Sequence, residues 1–525
     1  MLALVSALTE SQRVLLYALS LCALVALALW LKASTRSTRL PPGPGPLPLL
    51  GNIHQIYIEH QERKFAQWSQ VYGDTVYARF FWTPALILNS IHAAHNLMDK
   101  RSAKYSGRPH LVMLGEMLGW DRTLGVLDYG EIWRKQRKWT QGALNDKATS
   151  DAWQSVQRRE TCNLLMSLIA APNAFTAHLK RYTGALIMEI AYGYTVTSND
   201  DECLRMIGAA SDGTVECAGA GGALVDFLPI LKYVPSWFPG GRFKRRVWEV
   251  NYLVQEAQNR LYDTVRERMK AGTAKPSILS SLLDGSLIAG TLAEDEVDIK
   301  GIGGALYSGL SRYTTYAVLT TFILAMTLHP KVLKRAQAEV DEKVGHSRLP
   351  DYSDRENLPY IECVLKEVYR WICPLPLGLP HCATEDDEYL GYHIPKGTMV
   401  VPNIWSMSRD ADIYPEPDRF VPERFIHANH GTNDIADPRG YIFGFGRRIC
   451  PGRQFADMSV WLAIANIVAT MEICKARDAA GNETSPEVSY MPGLVSHPRP
   501  FKCSIRPRSQ RTEAVIMQAK SALDI

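Results

Sequence analysis

The chain has 525 residues, 46% of them hydrophobic, and a formal net charge of +4. That length suits one large catalytic body or two or three ordinary domains. So weak a charge excludes a nucleic-acid binder built on a basic stripe. Ten cysteines without regular spacing, and no C-x-x-C pair, exclude a disulfide framework and a zinc module; they read as reduced thiols on the cytoplasmic side.

Residues 1–31 read as an N-terminal membrane anchor. "VLLYALSLCALVALALWL", Val14 to Leu31, runs 18 residues without a charge. At helical rise it spans roughly 27 Å, the thin hydrocarbon core of the endoplasmic reticulum. Lys32, Arg36 and Arg39 follow it. Positive flanks stay in the cytoplasm, so the expectation is a single-pass protein of the endoplasmic reticulum membrane with a cytoplasmic body. Residues 32–52 form a basic and proline-rich connector. "LPPGPGPLPLLGN", Leu40 to Asn52, can be neither helix nor central strand, because proline fixes φ and lacks a donor.

The body follows, residues 53–507, with a short tail, residues 508–525. Strands are expected in "DTVYARFFWTPALILNS", Asp74 to Ser90, and a mainly helical stretch from about Ile91 to about Lys343. "RRVWEVNYLVQEAQNRLYDTVRERMKAG" repeats apolar residues at helical steps, and Gly272 closes it. "IGGALYSGLSRYTTYAVLTTFILAMTLHP" is apolar nearly all round and ends at Pro330, so it reads as one long buried helix. "EYLGYHIPKGTMVVPN" alternates around turn residues and reads as hairpin strands. No Gly-rich dinucleotide or phosphate loop occurs, so reducing equivalents would come from another protein.

The most specific stretch is "FGFGRRICPG", Phe443 to Gly452. Cys450 precedes Pro451 and a helical run, which sets it at a helix N-terminus, an environment that favours a thiolate. Gly444 and Gly446 let backbone approach a flat partner. Arg448 can reach an anionic group near the sulfur. A thiolate beside such a loop suits axial ligation of a haem iron.

The pattern Phe443-x-x-Gly446-x-Arg448-x-Cys450-x-Gly452 resembles the haem-ligand signature of the cytochrome P450 family. The remaining chain agrees in order and spacing as far as about Pro507, and "LHPKVLKRAQAEVDE" is most similar to fungal, membrane-bound members. The resemblance implies a mainly α fold: a helical wedge around buried haem b plus a small β-sheet lobe, after one transmembrane helix. It implies that Cys450 is the iron ligand, and that Trp133, Arg137, His381 and Arg448 reach the haem. It implies that Glu367 and Arg370 of "KEVYR", with Arg424 of "FVPERF", lock the cysteine loop.

It further implies a monooxygenase that uses O2 and electrons from an NADPH-cytochrome P450 reductase. The substrate would be a small hydrophobic metabolite of terpenoid or polyketide type, in secondary metabolism. Lys135, Lys138 and Arg447 suit an acidic docking partner, and the anchor contacts membrane lipid. The expected pocket walls are the loop from His110 to Leu127, the helix from Ser308 to Thr314, and Leu375 to Leu379.

One departure stands out. Over the haem the family carries an acid before two threonines, and this chain has "SRYTT". Two registers fit. Alignment from the upstream "LY" sets Arg312 at the acid and Tyr313 at the alcohol. Alignment from the downstream "LAMTLHP", the longer match, sets Tyr313 at the acid and Thr314 at the alcohol, and is preferred here. Ser311 then replaces a glycine. Tyrosine, with an ordinary pKa of about 10, relays protons less well at neutral pH than a carboxylate. Two other readings follow from the missing acid: an O2-independent isomerase or dehydratase, and a non-catalytic haem-binding protein.

Overall fold

The computed structural model describes residues 17, 39–145, 147–198, 200–218, 224–239, 241–309, 313–426 and 436–523. The expected anchor lies outside the described residues except for Tyr17. Among the described residues no single helix is long and apolar enough to cross a membrane.

The sheet lobe forms early. Helix α1 (Gln61–Tyr72) precedes β1 (Thr75–Phe80) and β2 (Thr83–Leu88), which pair antiparallel. The connector is more than a spacer. The Tyr77 N–H donates to the Pro42 carbonyl at 2.8 Å, and the Arg79 N–H donates to the Asn52 side chain at 2.8 Å. A Cβ on Gly43 would stand 1.8 Å from the Tyr77 carbonyl oxygen, so only glycine lets the segment lie against β1.

Helices then dominate, as the periodicity predicts: α2 (Glu131–Asn145), α3 (Lys147–Ala170), α4 (Phe175–Tyr192), α5 (Glu202–Cys217), α6 (Phe243–Lys270) and α7 (Ile278–Ala289). The expected long central helix is described as two, α8 (Leu292–Gly309) and α9 (Thr314–Leu328). Leu310, Ser311 and Arg312 lie outside the described residues. Residues 315–327 of α9 are all buried, as a helix apolar on every face requires.

Helices α10 (Pro330–Lys343) and α11 (Pro359–Trp371) lead into β3 (His381–Cys382), β4 (Asp387–Tyr389), β5 (Tyr392–Ile394) and β6 (Met399–Pro402). Strand β6 returns parallel to β2, giving a four-stranded sheet in the order β1-β2-β6-β3, while β4 and β5 make the predicted hairpin. Helix α12 (Arg453–Thr470) feeds a small sheet of β7 (Met471–Arg477), β8 (Glu483–Thr484) and β9 (Cys503–Pro507). The stretch read as a tail is ordered: α13 (Gln510–Leu523) packs on α3, with Ile516 fully buried and Arg508 paired to Asp341 at 2.6 Å.

Candidate active site

A buried ion pair ties α11 to the chain that precedes the cysteine loop. Glu367 and Arg370 share one face of α11, and both are wholly inaccessible to solvent. Arg370 donates Nε and Nη2 to the two Glu367 oxygens, each at 2.7 Å. Its remaining N–H groups reach the carbonyls of Ser408, Pro417 and Arg419. Arg424 lies 3.2 Å from Glu367, and the Val421 N–H donates to the same carboxylate. A buried ion pair is tolerable only when its surplus donors and acceptors are satisfied, and here backbone carbonyls do that. The pair thereby fastens the chain from 408 to 424 to α11.

The loop itself spends its amides internally. Cys450 N–H donates to the Phe443 carbonyl at 2.8 Å, Arg448 N–H to Phe445 and Ile449 N–H to Gly446. Gly446 has φ +54°, and a Cβ there would meet the Met98 carbonyl oxygen at 2.1 Å. Its N–H donates to the Asp99 carboxylate. Gly444, at φ +83°, lines the cavity and differs: a Cβ there would find nothing closer than 3.9 Å.

The Cys450 thiol lines that cavity but sits short of the helix: Gly452 is the cap of α12, and Pro451 precedes the cap. The Gly452 N–H and the Arg137 and Arg453 charges favour the thiolate, yet burial outweighs them and pushes the thiol up. The groups expected to favour a thiolate are thus in place, and burial opposes them. A coordinated metal would remove the proton outright.

Basic groups converge on the same cavity. From α2, Trp133 and Arg137 line it; Arg137 donates to the Ile449 carbonyl at 2.6 Å. Arg448 donates to the carbonyls of Ser106 and Leu127 and stacks 4.6 Å over Trp133. His381, at the start of β3, has its Nδ1 2.7 Å from the Tyr105 carbonyl; burial, and Arg108 next to it, hold the ring well below the usual imidazole range. Arg108, which motif reading missed, is half-buried and donates to the carbonyls of Gly125, Leu379 and Pro380, and desolvation pushes it down to about 9. Trp133 Nε1 and Arg448 Nη2 are buried without a partner. Surplus cations, two orphaned donors, an open glycine and one thiol fit a flat group with a metal centre and an anionic edge. Haem is such a group. Among the described residues no three His, Cys, Asp or Glu gather as a bare-ion site.

The opposite wall comes from α5, α8 and α9 and encloses about 330 Å³. Tyr313, Thr314 and Thr315 all line it. Tyr313 caps α9 with φ −97° and ψ −47°, and its hydroxyl is buried without a partner. All three expected walls contribute, through Leu114, Trp120 and Thr123 to Val126, through Tyr313 and Thr314, and through Leu375, Gly378 and Leu379, while Ser211, Thr214 and Leu494 were not foreseen.

Comparison with known proteins decides the family. The model for "Cytochrome P450" matches residues 41–505. The chain belongs to the cytochrome P450 family. It is 44% identical over 490 residues to Cytochrome P450 monooxygenase 136 of Postia placenta, covering 93% of this chain and 92% of that one. It is 44% identical to Cytochrome P450 monooxygenase 176 of the same fungus, covering 91% and 92%. Cytochrome P450 monooxygenase claR of Ampulloclitocybe clavipes is 38% identical, covering 92% and 89%. This P450 is accordingly a haem-thiolate monooxygenase that takes O2, a hydrophobic substrate and a redox partner.

One docking expectation is corrected. Lys135 is paired with Asp295 at 3.2 Å and with Asp298, so its charge is spent within the molecule. Lys138 and Arg447 are exposed, as are Arg134 and Arg453.

Proposed function

We propose that this P450 hydroxylates or otherwise oxidises a small lipophilic metabolite of terpenoid or polyketide type, in secondary metabolism. Electrons would come from an NADPH-cytochrome P450 reductase, and the cofactor would be haem b. The observation that carries this reading is the Cys450 thiol on the floor of a cavity whose other walls are largely apolar. When bound, the haem supplies a thiolate-ligated iron that activates dioxygen for insertion of one oxygen atom into a C–H bond.

The chain's own residues do the rest. Cys450 holds the iron, its loop kept rigid by Glu367, Arg370 and Arg424. Arg137, Arg448, His381 and Arg108 would neutralise the propionates, and Trp133 would donate its indole N–H to them; an anion beside His381 would favour its protonated form and so let Nε2 donate. No described residue lining the cavity is an aspartate or glutamate. Proton delivery therefore falls to hydroxyls: Thr314 as the relay and Tyr313 as the group that orders water. The apolar walls exclude bulk water and select a hydrophobic substrate.

The exposed cations Arg134, Lys138, Arg447 and Arg453 surround the cysteine face and suit an acidic reductase surface. Membrane attachment rests on the uncharged run before Lys32. Exposed Ile230, Tyr233, Trp237 and Phe238 beside Lys232 and Arg242 support a second contact with lipid at the endoplasmic reticulum.

The test is coexpression with a reductase, feeding of terpenoid and polyketide precursors, and product analysis under isotopically labelled dioxygen. Label in the product supports the reading. Conversion without O2 or NADPH would move the protein to the isomerase class.

A further inference from the structure

Helix α5 forms part of the cavity wall and contributes nothing to the cysteine loop or the basic edge. It is seated closely on α6: a Cβ on Gly213 would come within 2.4 Å of Val250 Cγ2, so only glycine permits that approach. Two hydroxyl residues one turn apart, Ser211 and Thr214, face the cavity from this fixed helix. Their hydroxyls differ. Thr214 Oγ1 accepts the Trp120 indole N–H at 3.1 Å and donates to the Ala210 carbonyl at 2.8 Å. Ser211 is only 5% exposed, and its Oγ has no partner. A serine inside a helix commonly turns its hydroxyl back on the carbonyl four residues earlier. Ser211 does not, and its neighbours in the cavity are mainly apolar.

A buried hydroxyl left unpaired is costly, and a site built to hydrogen-bond one oxygen discriminates against analogues that lack it. We propose that Ser211 is a specificity-determining residue that hydrogen-bonds one hydroxyl or carbonyl group of an otherwise apolar substrate. The enzyme then acts on a skeleton that already carries oxygen, so an earlier oxygenation or a carbonyl-forming cyclisation must supply its substrate. This inference rests on the proposed apolar-substrate oxidation.

The test uses the haem-loaded full chain and three probes of one size: trans-decalin, 2-decalol and 2-decalone. Binding is followed by the change in the haem absorbance on titration. The expected result is tighter binding of the two oxygenated probes to the wild type. Ser211→Ala should raise their Kd roughly three- to tenfold, the worth of one hydrogen bond, while the decalin Kd stays level. Equal change for all three probes, or none, would overturn the proposal, as would loss of the preference in Tyr313→Phe but not in Ser211→Ala. Failure of every probe to bind the wild type would instead bring down the apolar-substrate reading, and this inference with it. Haem content and the decalin Kd report whether the variant is intact.

Discussion

The two sides of the cavity are built on opposite principles. On the cysteine side the backbone is committed: the loop amides bond to nearby carbonyls or to Asp99, Arg370 bonds two carboxylate oxygens and three carbonyls, and the two donors left without a partner, Trp133 Nε1 and Arg448 Nη2, both lie at the basic edge. On the far side, Ser211 and Tyr313 keep hydroxyls that bond nothing in the protein, and α9 starts at Thr314. The backbone that carries Cys450 is satisfied from within the protein, and only its basic edge keeps donors to spare. A roof that must meet changing oxygen, water and substrate keeps its polar capacity for them.

The sharpest break of that contrast is Cys450→Ala. It should abolish the red-shifted Soret band of the reduced protein with carbon monoxide. A variant that kept the band would remove Cys450 from the iron. Next in size is Arg370→Ala. It leaves Glu367 wholly buried with only Arg424 and an amide as partners, a loss on the order of 3–5 kcal/mol. Expected is a protein that fails to retain haem, checked by haem content per chain and by urea unfolding of the apoprotein. If stability and haem content were unchanged, the lock would be incidental.

How far all this was legible in the sequence follows the same division. The cysteine side is read from contiguous text because its parts are local: a ten-residue loop, an i, i+3 ion pair, a proline before a helix. Its electrostatics were not legible. The helix position of Cys450 could be read as favouring a thiolate, but the burial that opposes it and pushes the thiol up depends on what folds over it. Lys135 looked like a docking charge because its partners, Asp295 and Asp298, stand far along the chain on α8. The roof was hardest. Ser211 of the roof and Arg108 of the basic edge sit in stretches with no motif, and only the crossing of α5 on α6 and the approach of β3 bring them to the cavity. The segment 508–525 reads as a tail because one buried Ile516 is too weak a pattern to announce a packed helix.

A smaller effect is expected at the relay. Thr314→Ala should leave haem content and the carbon monoxide spectrum intact, since Thr314 takes no part in the floor. Product per NADPH should fall on the order of ten- to a thousandfold, with hydrogen peroxide released instead, the scale of one lost acid–base contribution. Tyr313→Phe should cost less. The reverse order, full coupling in Thr314→Ala and none in Tyr313→Phe, would assign the relay to Tyr313 and the other register. Tyr313→Asp restores a carboxylate and should hold or raise coupling.

The smallest effect tests how the roof is fastened. The turn at Val112–Met117 leads into the cavity wall, and its Met113 N–H donates to Asp226 at 2.7 Å. Asp226 is half-buried, and desolvation pushes its carboxyl up to about 6 against the pull of the Met113 and Val112 amides and His110. The sign of the linkage follows. Between about pH 4, where the unfolded carboxyl titrates, and pH 6 the folded chain holds a proton that the unfolded chain has released. Stability from this group therefore declines as pH rises through that window and is flat above it. Asp226→Asn removes the ionisation and keeps an oxygen for the Met113 amide. At pH 7 it should be level with or more stable than the wild type, by on the order of 1–2 kcal/mol, and the difference should vanish toward pH 4. Thermal unfolding of both proteins from pH 4 to pH 8 measures it. A variant less stable at pH 7 than at pH 4.5, relative to the wild type, would mean that the ionised carboxylate is the better fastener, and the roof would then be held by charge rather than by a single neutral hydrogen bond.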